Sequence, residues 1–185
     1  MRSVLRFIAG AVVGGFLWFY ATPAYDAFLG RAAAVLLRLD HRLSGTVAER
    51  DGENLRVRNP ENLAFPTVTI PADQLTYNLI LFIGLMAARP GTLRRSALAV
   101  LILVATHILA VTASIESTYA TKLGAWSDAH YGGGQQDFWT ATEYLYRLAG
   151  MFAIAFTVWW VSIGAPSLIQ ESPAKPSPPD RPRPA

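Results

Sequence analysis

Two side chains able to carry a proton or direct a hydrogen bond fall inside long apolar runs: Asn78 and His107. A polar group in such surroundings is costly unless it meets a partner, so the pair marks either a proton- or substrate-handling site or a hydrogen bond between helices. If the two runs are antiparallel arms of one hairpin, Asn78 stands ~10 Å and His107 ~14 Å below the same end, and a contact between them is expected. His107 and Ser114 do not make a nucleophile and base. Seven residues on one helix separate them by about 10 Å, against the ~3 Å such a dyad needs. Glu143 and Arg147 are spaced i, i+4, as in an intrahelical ion pair. With Tyr25, Asp26, Glu116 and Tyr144 they form a candidate outward-facing polar rim for a partner. His130, between Asp128 and Tyr131, reads as a surface residue, since a lone His is weak evidence for a metal. The chain has no Cys, which removes thiolate nucleophiles, disulfides and Cys-based metal sites. No catalytic residue, cofactor or metal is expected from these patterns.

The elements that must position these residues are set by hydropathy. Residues 71–88 and 95–116 are apolar runs separated by a short turn carrying Arg89, Arg94 and Arg95. Runs of about 20 apolar residues match the thickness of a bilayer, and clustered Arg marks the cytoplasmic side. The expected hairpin therefore turns in the cytoplasm. Residues 1–22 form a further span behind Arg2 and Arg6, closing in Trp18-Phe19-Tyr20, an aromatic trio suited to a membrane interface. This reads as a retained anchor; a cleaved signal peptide is the alternative.

Residues 23–44 are amphipathic, with Phe28, Ala32, Val35, Leu36, Leu39 and Leu43 opposite Arg31, Arg38 and Arg42. They read as an interfacial helix, or as the first span continuing past a bend at Pro23. Residues 45–70 carry two short alternating runs around Asp51-Gly52 and a third before Pro71, a small extracytoplasmic β unit. Residues 117–137 contain Gly132-Gly133-Gly134 and read as a mobile outward loop. Residues 138–165 give the last span, and the Pro-rich residues 166–185 a disordered cytoplasmic tail. The expected fold class is an α-helical integral membrane protein with four transmembrane helices and a small extracytoplasmic β-hairpin or sheet between helices 1 and 2. The chain is placed in a bacterial inner membrane with both termini cytoplasmic.

Composition agrees with this placement. Of 185 residues 52% are hydrophobic and 16% charged, against roughly a quarter charged in soluble domains. The net charge of +3 does not signal nucleic acid, because the Arg residues flank apolar runs and form no basic stripe with interleaved aromatics. Residues 16–25, the short outward strands and residues 75–82 together resemble the membrane proteins associated with exosortase H, accessory proteins of a bacterial envelope protein-sorting system. The resemblance implies a partner of a Cys-dependent enzyme rather than the enzyme. The expected function is a non-enzymatic inner-membrane accessory or scaffold protein, in contact with lipid and with another membrane or envelope protein, with homo-oligomerisation open. The alternative is a small transporter or proton-coupled subunit built around Asn78 and His107.

Overall fold

A computed structural model describes residues 1–164; the expected tail at 166–185 lies outside them. The chain is mostly helical, with one small antiparallel sheet. Its elements are α1 (Arg2–Leu37), β1 (Val47–Asp51), β2 (Asn54–Arg58), β3 (Val68–Ile70), a 3-10 turn (Asp73–Leu75), α2 (Asn78–Ala88), α3 (Leu93–Thr121), α4 (Ala125–His130), α5 (Gly133–Leu145), a π-turn (Tyr146–Gly150) and α6 (Met151–Ser162).

α1 is a single helix of 36 residues, ~54 Å long, and it runs through Pro23. Pro23 removes the donor that would meet the carbonyl of Phe19, and the neighbouring Thr22 hydroxyl donates to the Trp18 carbonyl (2.5 Å). Packing on both halves holds the helix together. Near its start Gly10 and Gly14 face α2: a Cβ at Gly10 would overlap that of Ala87, and one at Gly14 would sit 3.1 Å from Ile83. The GxxxG spacing therefore lets two helix backbones approach closely, the role small residues play between apolar helices. Farther along, Asp26, Leu29, Gly30, Ala33 and Leu37 are buried. The sheet lies on this face, with Gly30 close to Leu55 and to the Ala48 carbonyl. Of the expected apolar face, Phe28, Val35 and Leu39 are exposed and Leu43 is buried. The sheet selects the side of α1 where Gly30 and Ala33 leave room, not the side richest in large apolar residues. Of the two readings of residues 23–44, the separate interfacial helix is corrected in favour of continuation past Pro23, because its first 15 residues belong to α1.

The sheet order is β1-β2-β3, antiparallel throughout. Asp51 pairs with Asn54, so Gly52 and Glu53 are the two turn residues, one position later than Asp51-Gly52. Only Gly52 takes a positive φ, +64°, which is the requirement of a type II′ hairpin turn at its first central residue. Ala48, Leu55, Val57, Val68 and Ile70 point inward. They form one core with α1, Val111, Ile115 and Tyr119. Tyr119 fastens this core by donating to the Pro66 carbonyl (2.9 Å). A second, smaller core at the other end joins Phe82, Ala99, Leu103, Ala155 and Val158.

Among the described residues three helical stretches are long and apolar enough to cross a membrane: Arg2–Leu37, Leu93–Thr121 and Gly133–Ser162. The fourth expected span, 71–88, is shorter as an apolar helix (Asp73–Ala88) and is broken at Thr76 and Tyr77. α2 itself has 11 residues, ~16 Å, about half of a 30 Å hydrocarbon core. The mobile loop expected at 117–137 is also corrected. α3 runs on to Thr121, α4 follows, and α5 begins at Gly133 with the Gln135 side chain accepting from the Gly132 N–H (3.3 Å). None of Gly132, Gly133 and Gly134 takes a positive φ. The aromatic stack of Trp126 on His130, centroids 4.2 Å apart, orders the connection.

Candidate functional site

α1, α2 and α3 bring Tyr25, Asn78 and His107 into one buried chain. The Tyr25 hydroxyl lies 2.7 Å from His107 Nδ1, His107 Nε2 lies 2.6 Å from Asn78 Oδ1, and Asn78 Nδ2 donates to the Met151 carbonyl (2.9 Å). The donor pattern fixes the tautomer. Asn78 spends its N–H on Met151, so its oxygen accepts from Nε2–H of His107 and Nδ1 accepts from Tyr25. The imidazole is neutral with both nitrogens occupied. Asn78 and His107 are each 0% exposed. Met151 follows directly on the π-turn Tyr146–Gly150, and the Tyr146 hydroxyl donates to the Leu75 carbonyl (2.9 Å), so the irregular stretch of one helix is tied to the break before another. Helix distortions of this kind are frequent at functional sites. Chemically, the arrangement can pass or hold one proton, or can lock three helices.

The candidate rim does not form one surface. Tyr25 points inward to His107. Glu116 is buried and accepts from the Tyr131 hydroxyl (2.8 Å). Over the Tyr131 ring lies Arg42, 4.0 Å from its centroid. The Arg42 guanidinium also binds Asp40 through two nitrogens, the His130 carbonyl (3.0 Å) and Gln135 Oε1 (3.0 Å). Burial raises the Asp40 carboxyl, but these hydrogen bonds and the charge of Arg42 outweigh it and hold the group below its ordinary value. Burial, then the Glu116 charge, pushes the Tyr131 phenol up. Glu143 and Arg147 pair at 3.0 Å and share Ser114, whose hydroxyl donates to Glu143 (3.1 Å). Tyr144 is exposed and apart from them.

Asp26 is buried, 1% exposed, and neither carboxylate oxygen has a hydrogen-bond partner among the described residues. One turn earlier on α1, Thr22 and Pro23 form one wall of an open groove of about 530 Å³, with Trp18 and Tyr20 below them and Arg50, Glu53, Asp73 and Tyr77 opposite. Sequence reasoning missed this groove, because its walls come from three separated segments; the aromatic trio at 18–20 was its only local signal. It also missed the Tyr25 contact, which exists because α1 does not end at Pro23. The Gly10/Gly14 spacing, readable as a close-packing motif, was the signal for the α1–α2 seam.

Among the described residues no three His, Asp or Glu side chains converge as a metal-ligand set. Compared with family models, with curated proteins and with solved structures, the chain matches none of them.

Proposed function

We propose that this chain is a multi-pass inner-membrane protein, with the Arg89–Arg95 turn cytoplasmic and the sheet extracytoplasmic, acting as a non-enzymatic accessory or scaffold of an envelope protein-sorting or processing system. What supports the membrane placement is the distribution of exposed apolar side chains. Val4, Leu5, Ile8, Val12, Phe16 and Leu17 of α1 and Leu98, Leu101 and Leu109 of α3 are open to the surroundings, far more than a water-soluble surface tolerates in one belt. The cations Arg2, Arg6, Arg89, Arg94 and Arg95 gather toward one end of that belt, as the positive-inside bias requires.

The observation that carries the scaffold reading is the outward sheet. It is fused to the helices through one core, yet its other face shows a charged basin of about 540 Å³ that includes Glu49, Asp51, Arg56, Arg58 and Asn62. A mere connection between spans needs a handful of residues, whereas this segment forms a paired three-stranded sheet with a charged face. The partner is another membrane or envelope protein. The test is co-purification from solubilised membranes of a chain carrying Arg56→Glu and Arg58→Glu, both of which leave the core untouched. Loss of the associated protein at unchanged abundance supports the reading; capture of the same partner by the reversed surface sinks it.

A second reading, a proton-coupled subunit or small transporter, draws on the Tyr25–His107–Asn78 chain. The saturation of both imidazole nitrogens favours the structural role instead, since a relay needs an open donor or acceptor at each end.

A further inference from the structure

We infer that the groove between α1 and the hairpin tip is a headgroup site for one phosphatidylethanolamine molecule of the outer leaflet. The inference rests on the membrane placement proposed above.

Three independent features converge on it. The first is position. The hairpin descends along α1, with Ala48 opposite Gly30 and then Arg50 and Glu53 opposite Thr22 and Pro23. Its turn therefore reaches the level at which the exposed apolar face of α1 ends in Trp18, Phe19 and Tyr20. Aromatic residues of that kind collect where acyl chains give way to headgroups. A lipid seated in the groove would lay its chains along exposed Val13, Phe16 and Leu17 without leaving the bilayer.

The second is charge. Across the groove stand one guanidinium, Arg50, and two carboxylates, Glu53 and Asp73. Arg50 and Glu53 have no ion pair or side-chain hydrogen bond among the described residues, although most other charged side chains of the sheet are paired. Among the described residues the Asp73 carboxylate meets only the Tyr77 hydroxyl, at 3.4 Å. An unpaired cation beside unpaired anions fits a zwitterion: a phosphate on Arg50 and a primary ammonium between Glu53 and Asp73. The walls are stiff. Trp18 donates to Thr76 Oγ1 (3.1 Å) and packs on Tyr77 with centroids 4.9 Å apart.

The third is Asp26. It lies one turn beyond Thr22 with neither oxygen partnered, and Asp73 and Arg50 are the charges that act on it. A buried carboxyl without a partner is costly, and an ammonium drawn to Asp73, whose charge acts on Asp26, lowers that cost by offsetting the neighbouring negative charge. A second protein's basic segment could supply the same charge, but it would not use the apolar track below the groove.

The experiment is native mass spectrometry of the full chain, released from nanodiscs containing equal phosphatidylethanolamine, phosphatidylcholine and phosphatidylglycerol. The expected result is one retained phosphatidylethanolamine, with the other two lipids retained roughly tenfold less, the scale of one or two charge-assisted hydrogen bonds. R50Q and D73N should each lower retention by about tenfold, while R38Q, the same charge change as R50Q at the exposed residue that caps the C-terminus of α1, should not. Equal retention of the three lipids, or R50Q and D73N retaining lipid as well as the unaltered chain, overturns the inference. So does soluble phosphoethanolamine binding as tightly as the lipid, because the acyl track would then contribute nothing. Alkaline extraction of cell membranes separates the two proposals: a chain released into the supernatant removes the membrane placement and this site together. A chain that stays with the membrane and shows no lipid preference removes this site alone.

Discussion

His107 Nε2 lies 2.6 Å from Asn78 Oδ1, which joins α3 to the first residue of α2 inside the apolar part of the protein. Because Tyr25 occupies the other imidazole nitrogen, three helices meet at one neutral histidine.

Replacing His107 or Asn78 with Leu should therefore lower thermal stability in detergent, since the partner left behind is buried and unsatisfied, at a cost of about 1–3 kcal/mol. A double-mutant cycle on the pair should return a coupling near the ~0.6 kcal/mol average for polar contacts between membrane helices. Tyr25→Phe should cost less, because it removes one donor and leaves Nδ1 as a lone acceptor. Cellular activity should follow protein abundance in all three. Activity abolished in His107→Leu at normal abundance would promote the proton-linked reading.

The seam between α1 and α2 gives a steric prediction. Gly10→Val places a side chain where Ala87 already stands and should destabilise by about 1–3 kcal/mol, the usual cost of overpacking. Gly15→Ala, with nothing within 4 Å, should be neutral or slightly stabilising. Melting curves of the two variants, compared with the unaltered chain, decide the matter. Equal effects would mean that the seam does not hold the first helix.

Sidedness can be read by cysteine labelling, for which the Cys-free chain is already a clean background. Glu61→Cys should react with an impermeant maleimide in intact spheroplasts, whereas Thr92→Cys should react only after lysis. Ser127, in the same outward segment as the glycine run, is a poor reporter: it is 1% exposed and donates to the Tyr119 carbonyl (2.7 Å). Labelling of Thr92→Cys from outside would reverse the proposed orientation.

Acid should loosen the packing of the segment after α1. Asp40 is held below its ordinary carboxyl value in the folded protein, so the Asp40–Arg42 contribution is fully present above about pH 4. It is lost as pH falls through the lower folded value. His41, 3.8 Å from the same carboxyl, and Glu116, beyond Tyr131, are the nearest other ionisable side chains. Asp40→Asn should reproduce the loss at neutral pH, by about 1–3 kcal/mol for a charge-assisted pair whose two side chains are each 15% exposed. It should also flatten the acid side of the stability profile followed by tryptophan fluorescence. An unchanged acid limb in Asp40→Asn would assign the acid sensitivity to another group.

Hydropathy and local turn chemistry carried much of the architecture. The apolar runs, the Arg-rich turn, the hairpin near Asp51-Gly52 and the third strand before Pro71 are all legible because each depends on neighbours a few residues apart. The contact of Asn78 with His107 was likewise expected, although the helical rise that placed Asn78 below Pro71 does not apply to residues 71–77, since α2 begins at Asn78. Height says nothing about rotation, and rotation decided the rest. Which face of α1 is buried depended on where the sheet could approach, so Gly30 and Ala33 outweighed Phe28 and Val35. Pro23 failed to end α1 because contacts on either side of it exceeded one lost backbone hydrogen bond, a price that local propensity cannot anticipate. The glycine run at 132–134 became the start of a helix through packing of Trp126, His130 and Tyr131. The Glu143–Arg147 pair was legible from its i, i+4 spacing, but Tyr25 and Glu116 were drawn away from the rim to His107 and Tyr131, because side chains from different segments choose among neighbours that only the folded chain brings within 3 Å.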